Sequence, residues 1–367
     1  MKIKCNRSEL LTAVFGVSRA VSGKSVIPAI EGILFKATLD RVILTGYDLE
    51  IGITTTISAE VEKNGEIVIN AKLLHDIIRK LNDDIVTISV GQNNGVSLTC
   101  GITKFDFMGL PASDFPELPS PNIDNSLSIN GKDLKEMIER TLFAVAQDNQ
   151  KPVHTGVKFF LGINDITLVS VDGYRLATCH KKIINTDERE FVIPAKTLSE
   201  ISRLIGESEE DVFLSTAKRY AVFSLKGYTV VTRLLEGDFL DYKKAIPEGY
   251  KTKVLINVTE LYESVERTSL VITDRYRSPV RLRFENSVAQ IRCNTNIGSS
   301  YDEVRAEIEG SPVEIGFNNR YVLDALRNCR EENVYLLIGE SVSPMKIVPE
   351  EGDEFLFLVL PVRIKPD

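Results

Sequence analysis

Two short stretches hold residues of the types that do chemistry. Asp172, Tyr174 and Arg175 stand together in SVDGYRLA (170–177), and Asp48 stands in TGYDLEI (45–51). Two recurring carboxylates invite a reading as a general acid and base. Each aspartate, however, falls between two strand-like runs, where Asp is favoured because its side chain accepts from nearby backbone amides. The turn reading is the stronger one. No nucleophile–base pairing accompanies them, and the patterns GxxxxGK[ST], GxSxG and HExxH are absent. His75, His154 and His180 show no metal-ligand spacing. The five cysteines (Cys5, Cys100, Cys179, Cys293, Cys329) are scattered singly and odd in number. That pattern opposes a zinc cluster or a disulfide framework and fits a reducing cytoplasm. The expectation is no catalytic residue, no metal and no cofactor.

The elements that position these residues repeat. GVKFFLGINDITLVSVDGYRLATCHKKI (156–183) reads as three short strands, with turns at Asn164-Asp165 and Asp172-Gly173. A helical pattern follows at 195–205, with Leu198, Ile201, Leu204 and Ile205 on one face. At an offset of 124 residues Gly32 falls on Gly156, Phe35 on Phe159, Asp48 on Asp172, Ala71-Lys72 on Ala195-Lys196, and Asp114-Phe115 on Asp238-Phe239. One gapless offset covers them all, which marks an internal duplication. A third copy is blurred: 259–272 stands where 133–146 stood, 279–296 echoes the strands, and 315–329 replaces the second helix.

Each copy therefore reads as a sheet-rich α+β module with two helices and six to eight strands. First helices are expected at about 8–20, 131–146 and 258–270, and second helices at 71–81, 195–205 and 319–329. In the first of these, Ser8 is the expected N-cap, with Leu10, Leu11, Val14, Phe15 and Val17 buried. Linkers of Pro, Gly and polar residues at 117–126 and 245–253 give three tandem domains, 1–121, 122–248 and 249–367.

The bulk composition, 43% hydrophobic and 26% charged, is that of a globular protein. No apolar run reaches the ~18 residues a membrane span needs, and MKIKCNRSELL has no signal-peptide core, so a cytoplasmic location is expected. The formal charge of −8 opposes nucleic-acid binding taken alone. Its distribution matters more. Acids cluster at 207–211 and 350–354, whereas the six predicted helices carry basic residues, among them Lys72, Arg79, Lys196 and Arg203. These are either a solvated face or a shared cationic surface.

Taken in order, IPAIEGILF (27–35), TGYDLEI (45–51), LPASDFPELP (110–119), SVDGYRLA (170–177), GDFLDYKKAIP (237–247) and the terminal LPVR (360–363) resemble one family along the whole chain. That family is the DNA polymerase III beta subunits, the bacterial sliding clamps. The resemblance implies three similar clamp domains per chain, each with two helices packed on antiparallel sheet, and two chains joined head to tail in a ring. It implies a non-catalytic processivity factor that encircles double-stranded DNA without sequence preference. It also implies partners: the polymerase alpha subunit, the clamp loader, and other polymerases and repair proteins bearing short peptide motifs, with no membrane involved. A net anion can encircle a polyanion if its basic helices face the DNA.

By family position the DNA contacts fall on Lys24 and Lys72, with Arg79 and Lys196 added by the repeat. The dimer interface falls on Phe105 and Phe107 in one copy and Val271 and Ile272 in the other. The implied peptide pocket takes His154, Val171, Gly173, Tyr174, Arg175 and Leu176 from the second module, with Leu240, Lys244 and Ala245 after it. Val342, Pro344, Leu358, Leu360, Pro361, Val362 and Arg363 complete it. Leu240 stands where proline is frequent, Lys244-Ala245 where Arg-Val is common, and His154 where an aliphatic is usual; these departures bear on motif preference. Two other classes remain at this stage: an enzyme using Asp172, Tyr174 and Arg175, and an interaction module that never meets DNA.

Overall fold

The structure, a computed structural model, describes residues 1–121, 126–148, 150–185, 187–273 and 278–364. The expected boundary at 121/122 and the tail at 365–367 touch or lie outside those residues. Among the described residues six helices recur in pairs, α1 (Arg7–Val17) with α2 (Ala71–Lys80), α3 (Gly131–Leu142) with α4 (Ala195–Ile205), and α6 (Val258–Thr268) with α7 (Asn319–Arg327), and a single turn, α5 (Tyr242–Ala245), precedes the last pair. Most begin the same way. Asn6, Asn70, Asn130, Asn257 and Asn318 each end a strand or the residue after one and accept amide bonds from the first helical turn. The cap of α1 is thus Asn6, which accepts from Ser8 and Glu9 amides, and not Ser8. Among the described residues no helix is long and apolar enough to cross a membrane.

The chain packs as two compact units, one of Met1–Leu134 with Ser199–Leu234 and one of Lys135–Leu198 with the chain from Leu235 onward. Both cut through the second repeat. In the first unit, strands of that repeat (Ser126–Asn130, Asp211–Ala217, Tyr220–Leu225, Tyr228–Arg233) continue directly into strands of the first (Ile51–Ser58, Arg41–Tyr47, Gly32–Thr38, Gly65–Asn70). The seam is antiparallel, from Tyr228 opposite Thr55 to Thr232 opposite Ile51. A second sheet of this unit runs Glu60–Lys63, Lys2–Asn6, Ile85–Val90, Gly95–Cys100, Thr103–Met108, and the last of these is an edge.

The second unit repeats the device. Arg189–Pro194, Gly156–Leu161, Asp165–Val171 and Arg175–Lys182 meet Phe355–Val359, and the sheet continues through Met345–Pro349, Asn333–Ile338 and Thr252–Asn257 into the long strand Gly298–Gly310. Here the seam runs from Arg175 opposite Val359 to Cys179 opposite Phe355. Fully buried Phe159, Phe355 and Phe357 anchor this core, as Phe35, Ile33 and Leu44 anchor the first unit's.

On α1, Leu10, Val14 and Val17 face inward as expected, but Phe15 is 53% exposed. At ~100° per residue it lies about 140° round from Leu10, on the solvent side of the helix despite its apolar type. The Arg19 guanidinium lies over its ring at 4.6 Å.

The first repeat packs α1 more tightly than the second repeat packs α3. A Cβ on Gly46 would lie 2.2 Å from the Val17 carbonyl oxygen, whereas the equivalent Ser170 donates its hydroxyl to the Thr141 carbonyl at 2.5 Å. Gly46→Ser is therefore expected to destabilise the protein by ~1–3 kcal/mol through overpacking, seen as a lower midpoint in thermal or urea denaturation. An unchanged midpoint would show that α1 can retreat freely.

Candidate functional site

The paired aspartates are turn residues. Asp48 Oδ1 accepts from the Glu50 and Ile51 amides at 3.0 and 2.8 Å, and Asp172 Oδ1 accepts from the Tyr174 and Arg175 amides at 2.9 and 3.0 Å. Gly173 takes the left-handed conformation (φ 90°) that the turn requires. The remaining oxygen of Asp172 is bound by Arg175 Nε at 2.9 Å, and Arg175 Nη1 donates to Asp324 at 2.5 Å. Arg175 is only 7% exposed and lies over the Tyr321 ring at 4.7 Å. Its charge is committed to this ion-pair network, so it positions its neighbours. Tyr321 in turn stacks with the exposed Tyr174 at 5.9 Å.

Beside this network lies an apolar floor. Val171, Leu176 and Leu358 are buried side by side, with Phe239, Tyr242, Ala245, Ile246, Leu356 and Leu360 packed against them. The Leu360 amide donates to the Tyr174 carbonyl at 2.9 Å, which ties the terminal segment to the hairpin. His154 meets Phe239 edge-on at 5.2 Å, its Nε2 is buried without a hydrogen-bond partner, and burial lowers its pKa. Leu240, Lys244 and Val342 are exposed, Pro344 and Pro361 half-buried. Lys244 pairs with Asp241 at 2.9 Å. Val362, its amide bonded to the Gly316 carbonyl, and Arg363 are exposed. Val362 also lines a second cleft of about 720 Å³ that runs past Tyr321, Asn318 and Arg320 to Ser278 and Ile272.

Sequence reasoning missed Phe239, Tyr242, Ile246, Tyr321 and Asp324. For the first the signal was present, since Asp238-Phe239 repeats Asp114-Phe115. In the first unit Phe115 packs with Tyr47, Val68 and Leu118, and Leu118 lies so close to Gly52 that a Cβ there would clash. Gly52 occupies the repeat position of Leu176. In the second unit the equivalent position is filled by Leu176 itself, with Phe239 and Leu360 packed against its cluster.

The expected DNA contacts lie on exposed helix faces or loops. Lys72 and Arg79 project from α2 opposite its buried face of Leu74, Ile77 and Ile78. Lys72 borders a cleft of about 570 Å³ with Arg19, Arg203, His75 and Phe15. Lys24 is exposed in the loop after α1 within the same unit. Lys196, in the second unit, is exposed on the first turn of α4. The last turns of α2, α4 and α7 carry Arg79, Arg203 and Arg327 at equivalent repeat positions.

The expected interface residues border open edges. Among the described residues, strand Thr103–Met108 pairs on one side only, with Gly95–Cys100, and exposes Phe105 and Met108 while Phe107 is half-buried. Val271 and Ile272, both half-buried, end or follow the 3-10 turn after α6. That turn packs on the long strand Gly298–Gly310. Among the described residues that strand pairs with Thr252–Asn257 through 306–310 and with Val288–Thr295 through 298–305, leaving the outer side of 298–305 open.

An apolar cluster braced by a committed ion-pair network, basic helix faces and open sheet edges are features suited to a scaffold that binds macromolecules. Family models for the DNA polymerase III beta subunit match along the chain: the N-terminal domain over residues 1–119, the central domain over 128–241 and the C-terminal domain over 243–363. The chain therefore belongs to the DNA polymerase III beta subunit family, the non-catalytic sliding clamps. The Beta sliding clamp of Staphylococcus epidermidis is 30% identical over 99% of both chains. Among solved structures, the DNA polymerase sliding clamp of Bacillus subtilis matches over the whole of both chains with a TM-score of 0.96 at 28% identity. A putative DNA polymerase III beta subunit from Eubacterium rectale matches over 99% of each with a TM-score of 0.95 at 33% identity. A Pseudomonas aeruginosa sliding clamp bound to griselimycin matches 99% of this chain and all of that one, with a TM-score of 0.94 at 28% identity.

Proposed function

We propose that two copies of this chain, each with clamp domains 1–121, 122–248 and 249–367, close head to tail into a ring around duplex DNA in the cytoplasm. On this reading Lys24, Lys72, Arg79 and Lys196 meet the phosphates. The cleft around Val171, Leu176, Leu358 and Leu360 takes the peptide motifs of the polymerase alpha subunit, the clamp loader, and other polymerases and repair proteins.

The observation that carries it is the repeated seam. Both internal junctions join equivalent strands in equivalent register. Tyr228 and Phe355, each seven residues before a bridge residue (Leu235, Val362), lie opposite Thr55 and Cys179. The third copy of the first partner is Thr103, seven before Leu110 in the same type of bridge. The third copy of the second is Asp302, which faces Ile291 as Thr55 faces Leu44 and Cys179 faces Leu168. Among the described residues, each of those strands has an open outer side. A third seam between chains would set Thr103 opposite Asp302, Phe105 opposite Ser300 and Phe107 opposite Gly298, and a heterologous contact that closes on itself makes a ring.

The test is topological. Protein loaded by a compatible clamp loader and ATP onto nicked circular DNA is expected to stay on circles and leave once the DNA is cut. Equal retention on both forms would replace encirclement with surface binding, or with an interaction module that never meets DNA. In the same assay Lys24→Glu with Lys72→Glu is expected to reduce loading or retention at moderate salt while the protein remains a dimer. Removing one lysine–phosphate pair should flatten the logarithmic salt dependence by about one. Unaffected loading would remove these lysines from the DNA surface.

A further inference from the structure

The floor of the peptide cleft is one row across neighbouring strands. Val171 lies opposite Leu176, Leu176 opposite Leu358, Leu358 opposite Lys346, and Lys346 opposite Leu337. Residues directly opposite on antiparallel strands share a face, so all five point to the same side. Four are apolar and the other is a lysine.

Lys346 is 8% exposed, and an ammonium so placed is tolerated only with hydrogen-bond partners. It has them: Nζ donates to the Pro247 carbonyl at 2.9 Å and to the Gly249 carbonyl at 3.1 Å. Burial lowers its pKa. Those carbonyls follow directly on the segment that walls the cleft, where Phe239, Tyr242, Ala245 and Ile246 pack against the floor. The wall has little regular secondary structure. Its only helix is the one-turn α5, which no side chain caps, and its ion pair Lys244–Asp241 is solvent-exposed. Apolar packing holds the wall against the floor but is non-directional. The two bonds from Lys346 are directional and fix where the wall ends.

We propose that Lys346 is a positioning residue of the peptide cleft, pinning segment 247–249 to the floor strand and so setting the spacing between wall and floor. The inference rests on the reading of this cleft as the partner-peptide site. Its test is an anisotropy titration of the full-length dimer with a fluorescein-labelled peptide spanning the clamp-binding segment of the same organism's polymerase III alpha subunit.

Lys346→Met keeps length and loses both bonds. It is expected to weaken peptide binding roughly tenfold, mainly through faster release, with the dimer unchanged. Lys346→Arg, which can still reach a carbonyl, is expected to recover most of that loss, and a residue that merely filled space would show no such rescue. Lys346→Gln, shorter but still a donor, should fall between. Wild-type affinity in a folded Met variant overturns the proposal. If the Met variant does not fold, wild-type affinity in the Gln variant overturns it. Failure of the underlying reading looks different: the peptide would bind the wild type yet be indifferent to Leu360→Ala.

Discussion

Replacing Phe105 and Phe107 with aspartate is expected to convert the protein from dimer to monomer and to abolish retention on circular DNA. Among the described residues, strand Thr103–Met108 has a hydrogen-bonded neighbour on one side only, and Phe105 on it is 37% exposed. Ile102, Met108 and Leu110 around it are exposed as well. An uncovered apolar edge strand is a pairing template, and one left in place calls for a partner. Burying a phenylalanine contributes ~1.5–3 kcal/mol, and a buried, unpaired carboxylate costs more. Two such changes should raise the dimer dissociation constant by roughly a thousandfold or more. Sedimentation velocity across a concentration series reads this directly. Phe213→Asp is the control, because Phe213 is also exposed, at 47%, but lies within a sheet paired on both sides. A double variant that stays dimeric at the wild-type concentration would remove this edge from the interface. Loss of dimer in the Phe213 variant as well would point to general destabilisation.

The same edge shows what can be read from a sequence and what cannot. Local features were legible because local rules set them. The gapless match of Asp48 to Asp172 follows from identical turn chemistry, and the inward face of α4 follows from helical spacing, with Leu198 and Ile201 fully buried. Which strands meet across repeats was not legible. Tyr228 beside Thr55 and Cys179 beside Phe355 are pairings between separate modules, and strand periodicity carries no address for its neighbour. The compact units accordingly divide the second repeat, although the sequence period makes it look like one body. Arg175 was legible as a polar residue near the cleft, yet its role depends on Asp324, about 150 residues away, which no local pattern links to it. Phe15 failed for the opposite reason. Its type suggested burial, and only the angular position on α1 decides.

Leu176→Ala combined with Leu360→Ala is expected to abolish detectable binding of the alpha-subunit peptide while the dimer persists. The two leucines do different things. Leu360 is half-buried, packs on the cluster of Val171, Leu176 and Leu358, and is tied by its amide to Tyr174. Its truncation removes surface a ligand would cover at little cost to the fold. Leu176 is 1% exposed and sits in the seam opposite Leu358, so its truncation also costs ~2–5 kcal/mol of stability and leaves a cavity under the floor. Apolar contact with a peptide side chain is worth ~1–3 kcal/mol per large residue. Loss of both should therefore weaken binding by about a hundredfold or more. The single variants separate the effects. Leu360→Ala should lose affinity with little change in denaturation midpoint, and Leu176→Ala should lower the midpoint as well. Arg175→Lys offers an independent check on the same floor. It removes the fork that holds Asp172 and Asp324 together, so it should loosen the Tyr174–Tyr321 stack and weaken the peptide without touching any apolar residue. Unchanged peptide affinity in the folded double leucine variant would move the partner site elsewhere. The second cleft, between Val362 and Ile272, would then be the place to look.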